Sequence, residues 1–555
     1  MHQSKEGSDP TATPPLAEQI EGQLAIENAI VPTSPCDSHE KPNLSLARTI
    51  ALALILASSS FFNVRTLAQD GSPRNATLDT NSLAISQTSI TLACVIVLPT
   101  IGRDLHIPEG RQQWLLSASS LAYACTLPFW GRLADIVGRR FIFRFGLACV
   151  SLSCLVAPFA PEEVSFDIFL ALQGLGAAAA TPSAVGIIFG VFPQGQSQIY
   201  AMSAFSAGFP LGNVIGNILG GIIAQSLNWR WIFWIMAIAT AISYGLSLLL
   251  IPPLAKDIEI QSVPLGQRLK TLVQEMDWVG LLMSLAMLLL LLVALTEGNV
   301  VGWRTSWVLA LLIISCLLLP AFIAWELRLE RKALRPPLLK LSIFRSRTYC
   351  AAQAISFIFW ASFNNFLVFA TYFYQYYQGL GVIQTTLRFL PTGITGILTV
   401  CVASQILSRV SGYAVALWGT TCVSVACLLF AVPIPADTTS YWAYGFPAMI
   451  LLTLGADTLY PCTALFVMKS IPEGDQAMGA AIFQTLSQVG RSIGLAIATA
   501  IQIAVTKNQS RGGLEEDRGA LLSGYRAAYW FSFAIGVASI AIAAYSFRGA
   551  GKLGN

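Results

Sequence analysis

Charged side chains are scarce in this sequence. Lys, Arg, Asp and Glu make up 11% of the 555 residues, whereas an ordinary soluble domain carries about a quarter. The formal net charge is only +4, which excludes the strongly basic surface that nucleic-acid binding requires. We therefore expect most side chains to be shielded from water, and we expect no nucleic acid among the partners.

The sequence also lacks the residue patterns of most catalytic, metal and nucleotide sites. Its three histidines, His2, His39 and His106, lie outside the apolar segments, so a buried histidine proton relay is not predicted. Its eleven cysteines are scattered without metal-ligand spacing. No G-x-x-x-x-G-K-[ST] loop is present to bind ATP. The sequence predicts no enzyme and no cofactor.

Long apolar runs dominate what is present. Hydrophobic residues make up 55% of the chain, and a helix needs roughly 20 mainly apolar residues to cross a bilayer. Thirteen such segments lie between Trp114 and Phe547. The alternating pattern of a membrane β-barrel does not occur. The sequence therefore predicts a polytopic, all-helical membrane protein with the lipid bilayer as a partner.

The region before the thirteen segments is unusual. Residues 1–45 read as a disordered tail without a signal-peptide pattern. Two apolar runs follow, Thr49–Asn63 and Thr88–Gly102, and they are separated by the polar stretch 64–87. Thr88–Ile101 is too short to cross alone, whereas the two runs joined together make one adequate span. We interpret the stretch as foreign to the fold.

An intron translated in frame would explain residues 64–87. Val codons begin with GT, a Gln codon can end with AG, and 24 residues correspond to a whole number of codons. The alternative is a genuine external excursion of the chain, glycosylated at Asn75 in the sequon Asn-Ala-Thr.

Loop charges predict the orientation. Eighteen Lys and Arg residues fall in one alternate set of loops and eight in the other, so the first set is predicted to be cytoplasmic. With a cytoplasmic amino terminus, one span must precede Trp114. The prediction is therefore fourteen spans with both termini in the cytoplasm. A second glycosylation candidate, Asn508, then faces outside.

The loop "GRLADIVGRR" after the second span resembles the signature loop of the major facilitator superfamily, G-x-L-a-D-x-x-G-R-R/K. The matching residues are Gly131, Asp135, Gly138, Arg139 and Arg140. In the family this loop docks against the carboxy-terminal half and steadies the outward-facing state. The resemblance therefore implies a conformational gating loop whose docking partner is the start of the thirteenth span, near Met478.

The fifth span, "AGFPLGNVIGNILGG", resembles the antiporter motif of this superfamily, G-x-x-x-G-P-x-x-G-G, and departs from it at Phe209. Its glycines recur every fourth residue and form a smooth face that permits close helix packing, while its proline bends the helix. The candidate residues of this motif are Gly208, Pro210, Gly212, Gly216, Gly220 and Gly221.

The proton site is less well defined. In the fourth span, "LALQGLG" resembles the family motif R-x-x-Q-G-x-G, but Leu170 replaces the arginine that is implicated in proton handling. Asp457 is the only acid near the middle of a predicted span, where a carboxylate is costly and usually functional. We expect Asp457 to couple protons. The alternative is a packing role, with its carboxylate capped by Thr453 or Thr458.

Polar residues inside the spans are candidates for a substrate cavity, although aromatic residues at helical spacing more often serve packing. Arg491 could hold an anionic substrate or pair with Asp457. The candidates are Gln173, Asn364, Asn365, Tyr372, Gln375, Gln484 and Arg491.

The resemblance also implies the architecture. It predicts two six-helix halves, 46–251 and 348–547, with two extra helices in the linker 252–347 and a tail at 548–555. "MDWVG", "ALTEG" and "PPLLKLSIFRSR" resemble the fourteen-span drug:proton antiporters, especially the fungal members. We expect a monomeric, proton-coupled efflux transporter of small organic compounds that confers drug resistance, in the plasma membrane rather than the vacuole. The alternatives are an uncoupled facilitator, a non-transporting receptor, and a non-functional product of the split span.

Overall fold

The structure is a computed structural model. It describes residues 89, 93, 97, 100–105, 107, 109–192, 196–226, 228–251, 274, 276–332, 337–432, 440–472, 475–509 and 514–548. The predictions for the tail 1–45, for the stretch 64–87 with Asn75, for most of the linker before residue 276 and for the tail after residue 548 lie outside the described residues.

The described part of the chain is a succession of long helices. The first, α1, is described at the helical residues 89, 93, 97 and 100–104. The others are α2 Glu109–Val137, α3 Arg139–Val156, α4 Glu163–Val191, α5 Gln196–Ser226, α6 Arg230–Leu250, α7 Trp278–Gly298, α8 Ser306–Lys332, α9 Arg347–Tyr372, α10 Val382–Arg409, α11 Gly412–Ala431, α12 Tyr441–Lys469, α13 Gln476–Gln509 and α14 Leu514–Ser546. Ten helices of the described part are long and apolar enough to cross a membrane. The all-helical membrane fold is confirmed.

Local sequence explains where two of the helices begin. The hydroxyl of Ser346 accepts a hydrogen bond from the Tyr349 amide at the start of α9, and Ser411 does the same for Ala414 at the start of α11. Such side chains satisfy amides that have no partner within the helix. The helices therefore begin at serines that directly precede apolar runs.

A close approach of two helices occurs at matching places in the two parts of the chain. In α3 and α4, a Cβ built on Gly146 would lie 2.6 Å from the Gly176 carbonyl oxygen. In α11 and α12, a Cβ built on Gly455 would lie 2.7 Å from the Gly419 carbonyl oxygen. Small residues at such crossings let membrane helices pack backbone to backbone. The third and fourth helices of each predicted half thus use the same packing device.

The glycine face of α5 packs against α1. The hydroxyl of Ser89 donates a hydrogen bond of 2.9 Å to the Gly212 carbonyl. A Cβ built on Gly216 would lie 2.6 Å from the Ser89 carbonyl oxygen. Gly208 and Gly220, one turn before and one turn after this contact, are also buried. Two glycines of the segment that resembles the antiporter motif, Gly212 and Gly216, therefore contact the first helix of the bundle.

Gly216→Ala is expected to destabilise the protein by about 1–3 kcal/mol, because the added methyl group meets the backbone of α1, which cannot rotate away. The measurement is the thermal unfolding midpoint of the purified protein. Gly245→Ala on α6 is the matched control, since nothing lies within 4 Å of a Cβ there. Equal unfolding midpoints for the two variants would contradict this packing.

In the described part of the chain, the two predicted halves meet along four pairs of helices. α2 and α4 pack against α13, and α5 packs against α10 and α12. The linker helices α7 and α8 pack against each other, and α7 also contacts α2 and α13. The division into halves at the predicted residues stays a prediction.

Candidate gate and central polar cluster

Asp135 stands at the end of the bundle where α2 ends and α13 begins, which we call the motif end. Its carboxylate accepts hydrogen bonds from the Met478 amide at 2.9 Å and from the Ala477 amide at 3.3 Å. The first amides of a helix have no partner within it, and a negative charge there is stabilised by the helix dipole. Asp135 of α2 therefore caps α13.

Arg139 completes this contact from the first turn of α3. Its guanidinium pairs with the Asp135 carboxylate at 2.9 Å and donates to the Gly186 carbonyl of α4 and the Gln476 side chain of α13, both at 2.9 Å. Both charges are buried, and such a pair persists only where its remaining hydrogen-bonding atoms are also satisfied. Arg139 thus connects α2, α3 and α4 to α13.

Two glycines make this geometry possible. A Cβ on Gly131 would overlap the Ala481 side chain and lie 3.0 Å from the Ala477 carbonyl oxygen, so α2 and α13 are in backbone contact there. Gly138 has a φ of 118°, which glycine adopts readily. It lets α3 begin directly after α2 and turns Arg139 back towards Asp135. Arg140, by contrast, is half-buried, and its Nε has no hydrogen-bond partner among the described residues.

A second charged contact reinforces the motif end. Asp475 directly precedes α13 and pairs with Arg132 of α2 at 3.3 Å and with Lys340 of the linker at 2.5 Å. The sequence reasoning missed Arg132, Asp475, Lys340 and Gln476. An acid followed by an amide immediately before an apolar run was the available signal, because such residues favour helix starts. We call Arg132, Asp135, Arg139, Asp475 and Gln476 the gate cluster.

A polar cluster lies deeper in the bundle, around Arg491 of α13. The Arg491 guanidinium stands 3.7 Å above the Trp360 ring of α9 and lies near Tyr123 of α2 and Tyr460 of α12. Within the described part of the chain, the Arg491 Nε has no hydrogen-bond partner. Arg491 thus joins helices from both predicted halves.

Two further side chains surround Tyr460. The Gln484 amide donates a hydrogen bond of 2.7 Å to the Tyr460 hydroxyl. The ring of Phe209 on α5 meets the Tyr460 ring at a centroid distance of 5.5 Å. Phe209 is the residue at which α5 departs from the antiporter motif. We call Tyr123, Phe209, Trp360, Tyr460, Gln484 and Arg491 the central cluster; only Gln484 and Arg491 of these were predicted from the sequence.

Asp457 lies one helical turn before Tyr460 on α12 and is 8% exposed. Its Oδ2 atom has no hydrogen-bond partner among the described residues. The hydroxyls of Thr453 and Thr458 donate to carbonyls of their own helix instead. In the described part of the chain, no ion pair joins Asp457 to Arg491. The Oδ2 atom is therefore buried without a hydrogen bond from either threonine, and the role of Asp457 stays a prediction.

The remaining cavity candidates lie elsewhere. Gln173 accepts a hydrogen bond of 2.6 Å from Ser119, which joins α4 to α2. Asn365 donates to Gly494 and Ser532 and so joins α9 to α13 and α14. Tyr372 is 39% exposed at the end of α9.

The last two candidates, Asn364 and Gln375, are half-buried. Asn364 lies on α9, and Gln375 lies in the π-helical segment Phe373–Tyr377 that follows α9. Substrate contact by these five residues stays a prediction. Asn508 is exposed near the end of α13 that lies away from the motif end, and its glycosylation also stays a prediction.

Helices that pair across the two predicted halves, a charged contact at one end and a polar cluster between them are features that a helical membrane transporter requires. The profile of the Major Facilitator Superfamily matches residues 82–296 and 274–495, and the chain belongs to this superfamily.

Its relatives include fungal transporters. The chain is 28% identical to a low affinity ammonium transporter of Saccharomyces cerevisiae over 78% of this chain and 80% of the relative. It is 26% identical to the efflux pump terG of Aspergillus terreus over 78% of this chain and 79% of that pump. The predicted resemblance to fungal efflux transporters of the superfamily is confirmed.

The fold has solved counterparts. The structure of the human organic anion transporter MFSD10 matches 86% of this chain and 100% of its own length, with a TM-score of 0.60 and 14% sequence identity. At this identity the likeness shows the shared fold alone.

Proposed function

We propose that this protein is a proton-coupled transporter that exports small organic compounds by alternating access. The observation that carries the proposal is the Asp135 cap on α13, because it closes one end of the α2–α13 contact over a polar cluster. A contact made of a few hydrogen bonds and ion pairs can form and break during each cycle. The similarity to named efflux pumps supports the direction of transport.

Asp457 is our candidate for the proton site. Its carboxyl group is buried beside the central cluster and its Oδ2 atom lacks a hydrogen-bond partner in the described residues, so its charge would be costly in the membrane. Proton binding and substrate binding would then favour opposite-facing states. Coupling requires such differential affinity, because a ligand shifts a conformational equilibrium only as far as its affinities for the two states differ.

Substrate would bind at the central cluster. Its aromatic rings offer apolar contact, while Tyr123, Tyr460, Gln484 and Arg491 offer a few polar groups, a combination typical of small-molecule sites. Arg491 would hold an anionic group of the substrate or pair with Asp457 in another state of the cycle. The rest of the proposal is a monomer in the plasma membrane with its motif end and both termini in the cytoplasm.

Transport is tested in yeast cells that lack their own efflux pumps. Cells expressing the chain are compared with empty-vector cells for accumulation of a panel of labelled organic compounds. We expect lower accumulation of at least one compound and loss of this difference when a protonophore is added. A difference that survives the protonophore would indicate the uncoupled facilitator, for which Leu170 in place of the motif arginine is the supporting observation.

The same assay tests the stretch 64–87. The chain is expressed with and without these residues, and the amount of each form in the membrane is measured. If the stretch splits the first span, only the shorter form will lower accumulation. Equal activity of both forms would instead indicate an external excursion that the fold accommodates.

A further inference from the structure

We infer that the linker helices α7 and α8 act as a latch that holds the gate cluster closed by positioning Lys340 on Asp475. The inference rests on the proposed alternating-access function, because a latch has a role only if the gate opens. It gives a specific task to the two helices that lie outside the predicted halves.

The latch begins where α7 and α8 are joined at the motif end. Asp277 caps α7 by accepting a hydrogen bond of 3.0 Å from the Gly280 amide. The same carboxylate accepts a hydrogen bond of 3.0 Å from the indole Nε1 of Trp325 on α8. A side chain on Gly280 would collide with the Asp277 and Glu326 carboxyl groups. The ends of the two helices are therefore fixed to each other.

Glu326 connects the fixed end of α8 to the segment 337–340. Glu326 follows Trp325 on α8, is fully buried, and accepts a hydrogen bond of 3.2 Å from the Leu339 amide. A buried carboxyl group is costly unless it is hydrogen-bonded, so this bond favours one position of the segment. Leu338 is packed beside it in an apolar cluster that includes Phe322 of α8 and Met478 of α13.

Lys340 is the next residue after this clamp. Its ammonium group contacts Asp475 at 2.5 Å, and Asp475 contacts Arg132 of α2 at 3.3 Å. The Lys340 side chain is 40% exposed and that of Asp475 is 14% exposed. An exposed ion pair alone contributes little to stability, mainly because ordering two long side chains is unfavourable. Here Leu338 and Leu339, directly before Lys340, are already held by packing and by the hydrogen bond to Glu326, so the ion pair can bias the gate.

The linker helices α7 and α8 are therefore connected to α13, the helix that the gate cluster caps. When α13 moves away from α2, Asp475 must lose Arg132, Lys340 or both. If Asp475 keeps its ion pair with Lys340, the segment 337–340, which is held by Glu326, opposes the movement of α13. If Asp475 leaves Lys340, the ion pair is lost. Either way, the contacts of α7 and α8 favour the closed motif end and slow its opening.

Hydrogen–deuterium exchange of the purified full-length protein tests the latch directly. The amides of Ala477 and Met478 are bonded to Asp135 only while the gate is closed, so a peptide that begins at Pro472 or earlier and covers both amides reports its opening. For Lys340→Ala we expect this peptide to exchange about two- to fivefold faster. Lys340→Arg should restore slow exchange. Lys332→Ala, at an exposed lysine of α8, is the matched control.

A second variant separates the latch from a local effect of Lys340. Glu326→Ala removes the acceptor of the Leu339 amide and should accelerate exchange of the same peptide. The double variant Lys340→Ala with Glu326→Ala should exchange no faster than the more affected single variant, because both residues act through one contact. Additive acceleration would overturn the latch.

Exchange in Lys340→Ala equal to that of the unchanged protein and of Lys332→Ala would also overturn the latch, whatever the transport activity. Absence of transport by the unchanged protein would instead overturn the proposed function and leave the exchange result interpretable. Peptides from the buried middle of α4 report whether a variant has lost its fold.

Discussion

Asp135→Asn is expected to reduce transport at least about tenfold while the protein still reaches the membrane. Asparagine keeps the shape of the side chain but removes the charge that caps α13 and balances Arg139. Removing one partner of a buried ion pair typically destabilises the remaining arrangement by about 3–5 kcal/mol. That is enough to leave the motif end open for most of the cycle. The measurement is the initial transport rate per molecule in the membrane.

The control for Asp135→Asn is the same chemical change where the carboxylate is not part of the gate. Asp104→Asn is suitable, because the Asp104 side chain is 45% exposed and pairs with Arg230 at a long 3.9 Å. It also accepts a hydrogen bond from the Trp229 indole, which an amide oxygen can accept as well. We expect this variant to retain most of its transport. Gly131→Ala should resemble Asp135→Asn, since a methyl group there separates α2 from α13. Full transport by both gate variants would contradict the gating role.

Asp457→Asn is expected to abolish transport driven by a proton gradient and to spare exchange of substrate across the membrane. An amide cannot bind the transported proton, yet it preserves the size of the side chain. Because substrate exchange needs only the conformational change, the two activities should separate. The measurement is gradient-driven flux and substrate counterflow in the same reconstituted preparation.

Asp104→Asn again serves as the control for Asp457→Asn, and it should retain both activities. If Asp457→Asn kept its response to the proton gradient, the proton site would have to lie elsewhere. Loss of counterflow together with gradient-driven flux, in a variant that remains folded, would assign Asp457 to substrate binding or to packing instead.

The fold was predictable from sequence because a membrane helix must satisfy its backbone within itself and therefore appears as a long apolar run. Each of the thirteen apolar segments after Trp114 coincides with a helix. Asp135 was likewise placed against the start of α13 near Met478, because the loop that contains it resembles the superfamily's signature loop, which docks against the carboxy-terminal half. Signals of this kind are local in the chain.

The contacts that the sequence did not reveal join residues far apart in the chain. Asp475 and Lys340 are separated by more than one hundred residues and stand at helix ends, where no periodicity marks a partner. Trp360 and Tyr460 are aromatic residues whose rings contact each other, and nothing in their own sequence positions indicates that Arg491 stands over the Trp360 ring. Asn365 and Tyr372 were predicted to line a cavity because they are polar residues within a span. In the structure Asn365 joins helices and Tyr372 is exposed, so polarity within a span did not identify cavity residues.

The most direct test of the account is uptake of an exported compound by proteoliposomes with an acidic interior. The compound is one whose accumulation the chain lowers in yeast, and the reference is the same preparation at equal pH on both sides. The account predicts faster uptake with the gradient, loss of this effect on adding a protonophore, and no response in Asp457→Asn. Uptake that is equal with and without the gradient would contradict proton-coupled transport.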